Sequence, residues 1–270
     1  MKRRFCAADL LSTKTLFRVE RGHIADMAGN PLTYTEFVTA LDLERLPDGV
    51  IIKPMTGGSG SAVFKLHVVE GKLTHKGEHL DQFGFEHLIF STNNGGYWTE
   101  FAVQETISQH PDIANFNPTS VNTVRIDTFI DAEGVVQCNA AALKVGTRGS
   151  IVDNSSAGGF MISIDLETGR LMSGAKQEAQ FGGQYHDIHD AFRIEPETFI
   201  IPFWPQTREA VTKAAEALAP LRSLGWDVAI TPIGPLIIEA NADYGIDVLQ
   251  ELAGGYLGKP LGQAYLRQTR

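Results

Sequence analysis

The chain is poor in the residues that would staple it covalently or anchor it in a membrane. Its 270 residues include two cysteines, Cys6 and Cys138. One pair builds no disulfide framework, and the scarcity fits a reducing, cytoplasmic setting. An excess of positive charge is also missing. The formal net charge is -9, and Lys2, Arg3 and Arg4 form only a short basic tip. That balance argues against nucleic acid as a partner. Polar residues interrupt every apolar run well before the ~18 residues of a spanning helix, so no membrane insertion is expected. The opening "MKRRFCAADLLSTKTLF" is basic but has no sustained apolar core, which speaks against a signal peptide.

What remains is an ordinary globular composition, 43% apolar with 27 glycines and 12 prolines. The length allows one large domain or two lobes. In "TYTEFVTAL", Thr33 stands three residues before Glu36, the capping-box spacing, and predicts a short helix. "GVIIKP" and "SAVFKLHVV" read as strands joined by "MTGGSG", and residues 80–91 as a helix. "YWTEFAVQETI" reads as a further strand. "VNTVRIDTFID", "VVQCNAAALKVG" and "GGFMISIDLETG" follow as strands, with "DAEG" turning the first pair. Residues 206–223 form an amphipathic helix with Val211, Ala214, Ala215, Leu218 and Leu221 on one stripe. Strand pairs followed by isolated helices indicate an α+β fold.

The stretch "WDVAITPIGPLIIEAN" carries three polar residues on an otherwise apolar hairpin. A three-residue loop, with Thr231 paired to Pro235, sets Asp227 opposite Glu239 and puts Asn241 on the same face. Trp226, Val228, Ile230, Leu236 and Ile238 then take the other face. Opposed carboxylates repel unless they share a proton or a cation. Oxygen donors of this kind suit Mg²⁺ completed by phosphate oxygens. A solvated sheet face carrying mildly repelling charges would give the same pattern.

Gly57, Gly58 and Gly60, with Ser59 and Ser61, form a loop whose bare N–H groups could cradle phosphate. Lys53 precedes it on a strand of β-branched residues, which directs its ammonium inward. The Walker A lysine is missing and no helix follows, so neither the P-loop nor the Rossmann pattern applies. A flexible turn is the plainer reading of the glycines taken alone.

Lys53-Pro54 before the glycine loop, "VQETI" some fifty residues later and the terminal Asp…Glu-x-Asn together resemble the ATP-grasp superfamily. The resemblance runs from about residue 30 to residue 252. "QHP…P-x-SVNTVRI", "VDN…GG" and "GWDVAIT…GP-x-IIE-x-N" are most similar to its sugar-transfer-associated, glutamate-ligase-like branch. The resemblance implies two α+β lobes with antiparallel sheets clamping a nucleotide. It divides the chain into an N-terminal remnant (1–30), a small lobe (31–104) and a large lobe (105–270). The further N-terminal domain common in the superfamily would be truncated or absent. A dimer partner, a separate protein or residues 181–205 would then complete the acceptor pocket.

By the same resemblance, Lys53 contacts the ATP phosphates and adenine edge, and Gly57 to Ser61 close over the phosphates. Gln104, Glu105 and Ile107 form the adenine hinge, with Lys14 matched on spacing alone to an upstream phosphate-binding lysine. Asp227, Glu239 and Asn241 hold Mg²⁺, with Glu239 bridging the two ions of the family pattern. Arg125, Lys144 and Asn154 face the γ-phosphoryl and the carboxylate it activates.

Arg125 also stands out on its own. It lies between Val124 and Ile126, where arginine needs an anionic partner, either that phosphoryl or an internal acid such as Asp127 or Glu105. Lys144 departs from the arginine usual in the family and loses bidentate geometry. His186 and His189 in "YHDIHD" lack a convincing third ligand for zinc, so a loop histidine is the plainer reading, with His186 a candidate border of the acceptor pocket. Cys138 reads as a small core residue. The implied activity is an ATP- and Mg²⁺-dependent ligation of a small carboxylic acid and an amine, on an amino acid or uronic acid in a polysaccharide or secondary-metabolite pathway. Phosphorylation of a hydroxyl, or nucleotide binding without catalysis, are the alternatives.

Overall fold

Three two-residue turns shape the N-terminal third of the chain. Arg21-Gly22, Glu70-Gly71 and Lys76-Gly77 all have positive φ at both positions. That conformation matches the right-handed twist of flanking strands and closes tight hairpins. They join β1 (Thr15–Glu20) to β2 (His23–Asp26), β5 (Phe64–Val69) to β6 (Lys72–His75), and β6 to β7 (Glu78–His79). The computed structural model describes residues 11–44, 46–56, 62–91 and 98–268. The basic tip, Cys6 and the glycine loop Gly57, Gly58, Ser59, Gly60 and Ser61 lie outside the described residues.

The described chain divides into two compact units. Thr13–Thr106 forms one; Leu11 and Ser12 join Ile107 onward in the other. The smaller unit adds β3 (Pro31–Leu32), β4 (Val50–Pro54) and β8 (Glu100–Glu105) to make an eight-stranded antiparallel sheet, ordered β3-β2-β1-β8-β4-β5-β6-β7. Helix α1 (Tyr34–Leu43) starts with the expected capping box, Thr33 and Glu36 each accepting the other's N–H. Helix α2 (Gln82–Phe90) is capped by Asp81. Phe37 and Leu41 of α1 and Phe85 and Ile89 of α2 pack with Val19, Ile52, Leu66, Leu73 and Phe101. Each such fully buried side chain contributes about 1.5–3 kcal/mol.

The strands β1 and β2, set apart above within the remnant 1–30, pair into this sheet. β1 lies directly against β8, Phe17 opposite Val103 and Val19 opposite Phe101. The alternation of buried Phe17 and Val19 with exposed Arg18 and Glu20 is the reason: it gives the segment an apolar face that the sheet covers.

The larger unit has seven antiparallel strands, ordered β13-β12-β11-β10-β9-β14-β15. They are β9 (Thr123–Ile130), β10 (Val136–Val145), β11 (Phe160–Ile164), β12 (Leu171–Lys176), β13 (Tyr185–Asp187), β14 (Ser223–Thr231) and β15 (Gly234–Asn241). One face carries Ile126, Leu143, Ile162, Trp226 and Val228. It is covered by helix α5 (Trp204–Ala217), preceded in the chain by α3 (Pro111–Ala114) and α4 (Ile188–Phe192), with Val211, Ala214 and Ala215 facing the sheet. Helix α5 stops short of the expected end. Pro220 cannot supply an N–H to continue the helix, so Leu221 falls outside it and is exposed. The opposite face carries Ala140, Ala142 and Met161 under Tyr244, Tyr256 and Leu249 of α6 (Ile246–Ala253), and α7 (Pro260–Gln268) follows. Cys138 packs at the margin of the first core, and burial pushes its thiol up to about 11. Among the described residues no helix is long and apolar enough to cross a membrane.

Candidate active site

The hairpin of β14 and β15 turns on two residues, one fewer than expected. Thr231 pairs with Gly234, so Pro232 and Ile233 form the loop, and the Thr231 hydroxyl donates to the Gly234 carbonyl at 2.7 Å. Counting back from there would misplace Asp227 by one. A β-bulge restores the match: Val228 faces Ile237, then Asp227 faces Glu239, leaving Ile238 as the extra residue. Ile237 therefore enters the apolar core, in place of Leu236 and Ile238. The expected opposition of Asp227 and Glu239 stands, by a different route.

That pair begins a row across the sheet. Asp227 faces Glu239 on one side and Arg125 on the other, and Arg125 faces Ala142 of β10. Arg125 donates from Nε to Asp227 Oδ1 at 2.6 Å and from Nη2 to Oδ2 at 3.0 Å, a bidentate clasp. Its Nη1 donates to the Tyr244 carbonyl at 3.2 Å. The partner of Arg125 is thus Asp227, neither Asp127 nor Glu105. Lys144, two residues beyond Ala142 on the same face, donates to Asp227 Oδ2 at 3.3 Å and pairs with Asp153 Oδ1 at 3.3 Å.

These groups are almost wholly withdrawn from water; the side chains of Lys144 and Asp227 are 5% and 6% exposed. Burial alone would push the Asp227 carboxyl up, but Lys144 and Arg125 outweigh it and hold the group well below the usual carboxylate range. Burial likewise works against the Lys144 ammonium, and Asp153 and Asp227 raise its pKa above the ordinary value. Arg125 is raised in the same way, with Asp227 countering burial.

The sequence signature around the row has a structural task. Asn122 Nδ2 donates to the carbonyls of Ile113 and Asn117 at 3.0 and 2.9 Å. Asn117 Nδ2 reaches the carbonyls of Gly146 and Thr147, both at 2.9 Å. Ser120 Oγ donates to Asn122 Oδ1 at 3.0 Å. This buried network ties the entrance of β9 to the exit of β10, fixing the strands that carry Arg125 and Lys144.

Glu239 and Asn241 end the row, both half-buried, with Asn241 Nδ2 donating to Glu239 Oε1 at 3.1 Å. The donor set of Asp227, Glu239 and Asn241 fits a hard divalent cation: oxygen atoms only, with two carboxylates directly opposed. Three N–H donors already occupy Asp227, out of about four lone-pair positions on a carboxylate. Glu239 is also in hydrogen-bonding contact with Asp227, and the half-buried Glu239 and Asn241 lie at the more exposed end of the row.

Asn154 opens the short turn Ser155–Ala157, and its carbonyl accepts from Ala157 and Gly159. It follows Asp153 directly in the chain. In the smaller unit, Lys14 donates to Glu105 at 2.7 Å, and this bond raises the lysine's pKa. Glu105 N–H also donates to the Lys14 carbonyl at 3.1 Å. Gln104 donates to Thr15 Oγ1 at 3.1 Å. Lys53 is half-buried opposite Ala102, on the sheet face turned away from the unit's apolar core. Ile107 follows β8 and is half-buried. Away from these groups, His186 packs edge-on against Phe160. His189 clusters instead with Asp187 and Asp190, all three exposed. Sequence reasoning assigned no role to Asp153, Thr123 or Tyr244. Only "VDN" hinted at the first, and nothing in the sequence reveals a carbonyl contact such as that of Tyr244.

The family model for sugar-transfer associated ATP-grasp proteins matches residues 30–259. The chain belongs to this family. One solved structure supports the fold, and two others are similar. D-alanyl-alanine synthetase A from Vibrio cholerae O1 biovar eltor superposes with a TM-score of 0.51 at 10% identity, covering 98% of this chain and 63% of that one. D-alanine–D-alanine ligase from Bacillus anthracis gives 0.44 at 12% identity, with 99% and 60% covered. L-amino acid ligase from Bacillus licheniformis gives 0.44 at 13% identity, with 93% and 40% covered. The ATP-grasp chain thus spans between 40% and 63% of the length of these structures. A comparison with curated proteins returned no match.

Proposed function

We propose that the protein is an ATP- and Mg²⁺-dependent ligase that joins a small carboxylic acid to an amine. Membership of the ATP-grasp family supports the use of ATP. The observation that carries the reading is the row Glu239–Asp227–Arg125, with buried Lys144 beside it. Two cations fixed in a dry strand face, next to an oxygen-donor set, match the charge distribution of a phosphoryl in transfer.

A carboxylate resists amines at neutral pH because its oxygen leaves poorly. In the proposed reaction a carboxylate oxygen of the acid attacks the γ-phosphorus and ADP departs, giving an acyl phosphate. The amine nitrogen then attacks the acyl carbon, loses a proton, and phosphate leaves with the carbon–oxygen bond's electrons. Arg125 and Lys144 neutralise the negative charge that spreads over the transferring oxygens. Lys53 and the Gly57–Ser61 loop hold the phosphates, and Gln104, Glu105 and Ile107 receive the adenine. Asp227, Glu239 and Asn241 would hold Mg²⁺, which supplies Lewis-acid neutralisation of the phosphate oxygens. An amino acid or a uronic acid is the proposed substrate class.

The test is ADP release by the purified protein across a panel of acids and amines, with Glu239→Gln alongside. An acid-dependent signal is expected in the wild type, reduced by at least about a hundredfold in the variant, as for loss of one group aligned on developing charge. Its melting temperature should stay near that of the wild type, because Glu239 is outside the apolar core. Full turnover in Glu239→Gln with unchanged Mg²⁺ dependence would refute the assignment.

A further inference from the structure

Lys144 is held by two carboxylates, and the two are not equivalent. Asp227 is shared: Arg125 takes both of its oxygens, and Lys144 meets only Oδ2. Asp153 faces Lys144 alone among the cations with a described ion pair, through Oδ1 at 3.3 Å. Its other oxygen, Oδ2, accepts the Thr123 backbone N–H at 2.8 Å and also the Thr123 hydroxyl.

The backbone around Asp153 is equally constrained. A Cβ on Gly146 would stand 2.5 Å from the Val152 carbonyl. One on Gly159 would stand 2.8 Å from the carbonyls of Asp153, Asn154 and Val145. The segment from Val152 to Gly159 is therefore pressed against the end of β10, one residue from Lys144, at a distance that only glycine permits. Asp153 itself is 7% exposed.

Charge explains why a second acid is needed. Asp227 is divided between two cations, and Arg125 opposes the Lys144 charge. Asp153 is the strongest of the carboxylates that support the ammonium, ahead of Asp227 and Glu239. It also keeps its hold when any ligand draws on Asp227, because Thr123 and the glycine-pressed backbone fix it independently of the row.

We propose that Asp153, pinned by Thr123, is a positioning residue that fixes the Lys144 ammonium where it meets the γ-phosphoryl of the nucleotide. The inference rests on the ATP-dependent reading above and adds a residue to it. A lysine has a flexible stem and no bidentate geometry, so its placement depends on what holds it. Asp153 supplies that hold.

The experiment compares calorimetric affinities for Mg²⁺ with AMP-PNP and for Mg²⁺ with ADP, in the wild type, Asp153→Asn and Thr123→Val. Asp153→Asn should lose about tenfold or more of AMP-PNP affinity, the scale of a hydrogen bond to a charged group, while ADP affinity changes by less than about twofold. Thr123→Val, which keeps the backbone N–H and removes only the hydroxyl, should shift the same way by a smaller factor. It also serves should Asp153→Asn fail to fold. Crystal structures of the variants should show the Lys144 ammonium displaced toward Asp227. An unmoved ammonium, or equal losses for both nucleotides, would overturn the inference. If the wild type binds neither nucleotide, the ligase reading falls, and the position of Lys144 in the variant crystals still decides whether Asp153 positions it.

Discussion

Arg125 occupies a strand position that hydrophobic neighbours would otherwise claim, and its five N–H donors are why it can stay there. Two go to Asp227 and one to the Tyr244 carbonyl. Replacing it by methionine would preserve packing but strip Asp227 of its bidentate partner. Lys144 would remain as one counter-ion. Breaking a buried ion pair costs about 3–5 kcal/mol, and the lower end applies where a second cation survives. Chemical denaturation of Arg125→Met should therefore show a loss of about 3 kcal/mol; a change within about 0.5 kcal/mol would mean the clasp is not formed. The sequence made Arg125 conspicuous, since a charged residue between Val124 and Ile126 demands an anion. It did not identify which one. Asp227 lies 102 residues away, and only sheet order makes β9 and β14 neighbours. Asp153 escaped notice for a similar reason: the loop that returns it to Lys144 has no periodic pattern to read.

At the scale of elements, local chemistry was legible where a motif had its own mechanism. The Thr33–Glu36 capping box, the "DAEG" turn and the pairing of β4 with β5 all form as expected. The X-Gly hairpins at residues 21–22, 70–71 and 76–77 carried a signal too, but their strands are short and half-polar. The β14–β15 hairpin is more instructive. Loop length and bulge each shift the register by one, in opposite senses, so Asp227 still meets Glu239. A bulge leaves no mark in composition, and only core packing reveals it, through Ile237. The same hairpin has a tight point at Gly225, where an added Cβ would lie 2.5 Å from Tyr244 Cβ and 2.6 Å from its Cγ. Gly225→Ala should push Tyr244 outward and lengthen the bond from Arg125 to its carbonyl. Overpacking of this kind costs about 1–3 kcal/mol. Adding Tyr244→Gly to Gly225→Ala, which removes the Cβ as well as the ring, should recover part of that loss in a thermal melt. Losses that simply add would show that the two residues do not meet.

For the whole molecule, family membership over residues 30–259 and two antiparallel sheets agree with the architecture that the motifs implied. The division of the chain is less simple than the motifs suggested. The strands of residues 15–32 belong to the smaller unit's sheet, and that unit continues through Thr106. Motif spacing located the groups that carry chemistry and was silent about strands that contribute only hydrogen bonds and packing. The proposed activity is chemistry at a carboxylate: phosphoryl transfer to it, then displacement by an amine. Hydroxylamine intercepts acyl phosphates as hydroxamates, whereas phosphorylated hydroxyl groups do not react. Incubating the protein with Mg²⁺, ATP, hydroxylamine and each acid of the panel, then quantifying hydroxamate against ADP, tests that step directly. The account predicts hydroxamate in step with ADP for at least one acid. ADP release accompanied by a stable phosphorylated hydroxyl and no hydroxamate would contradict it.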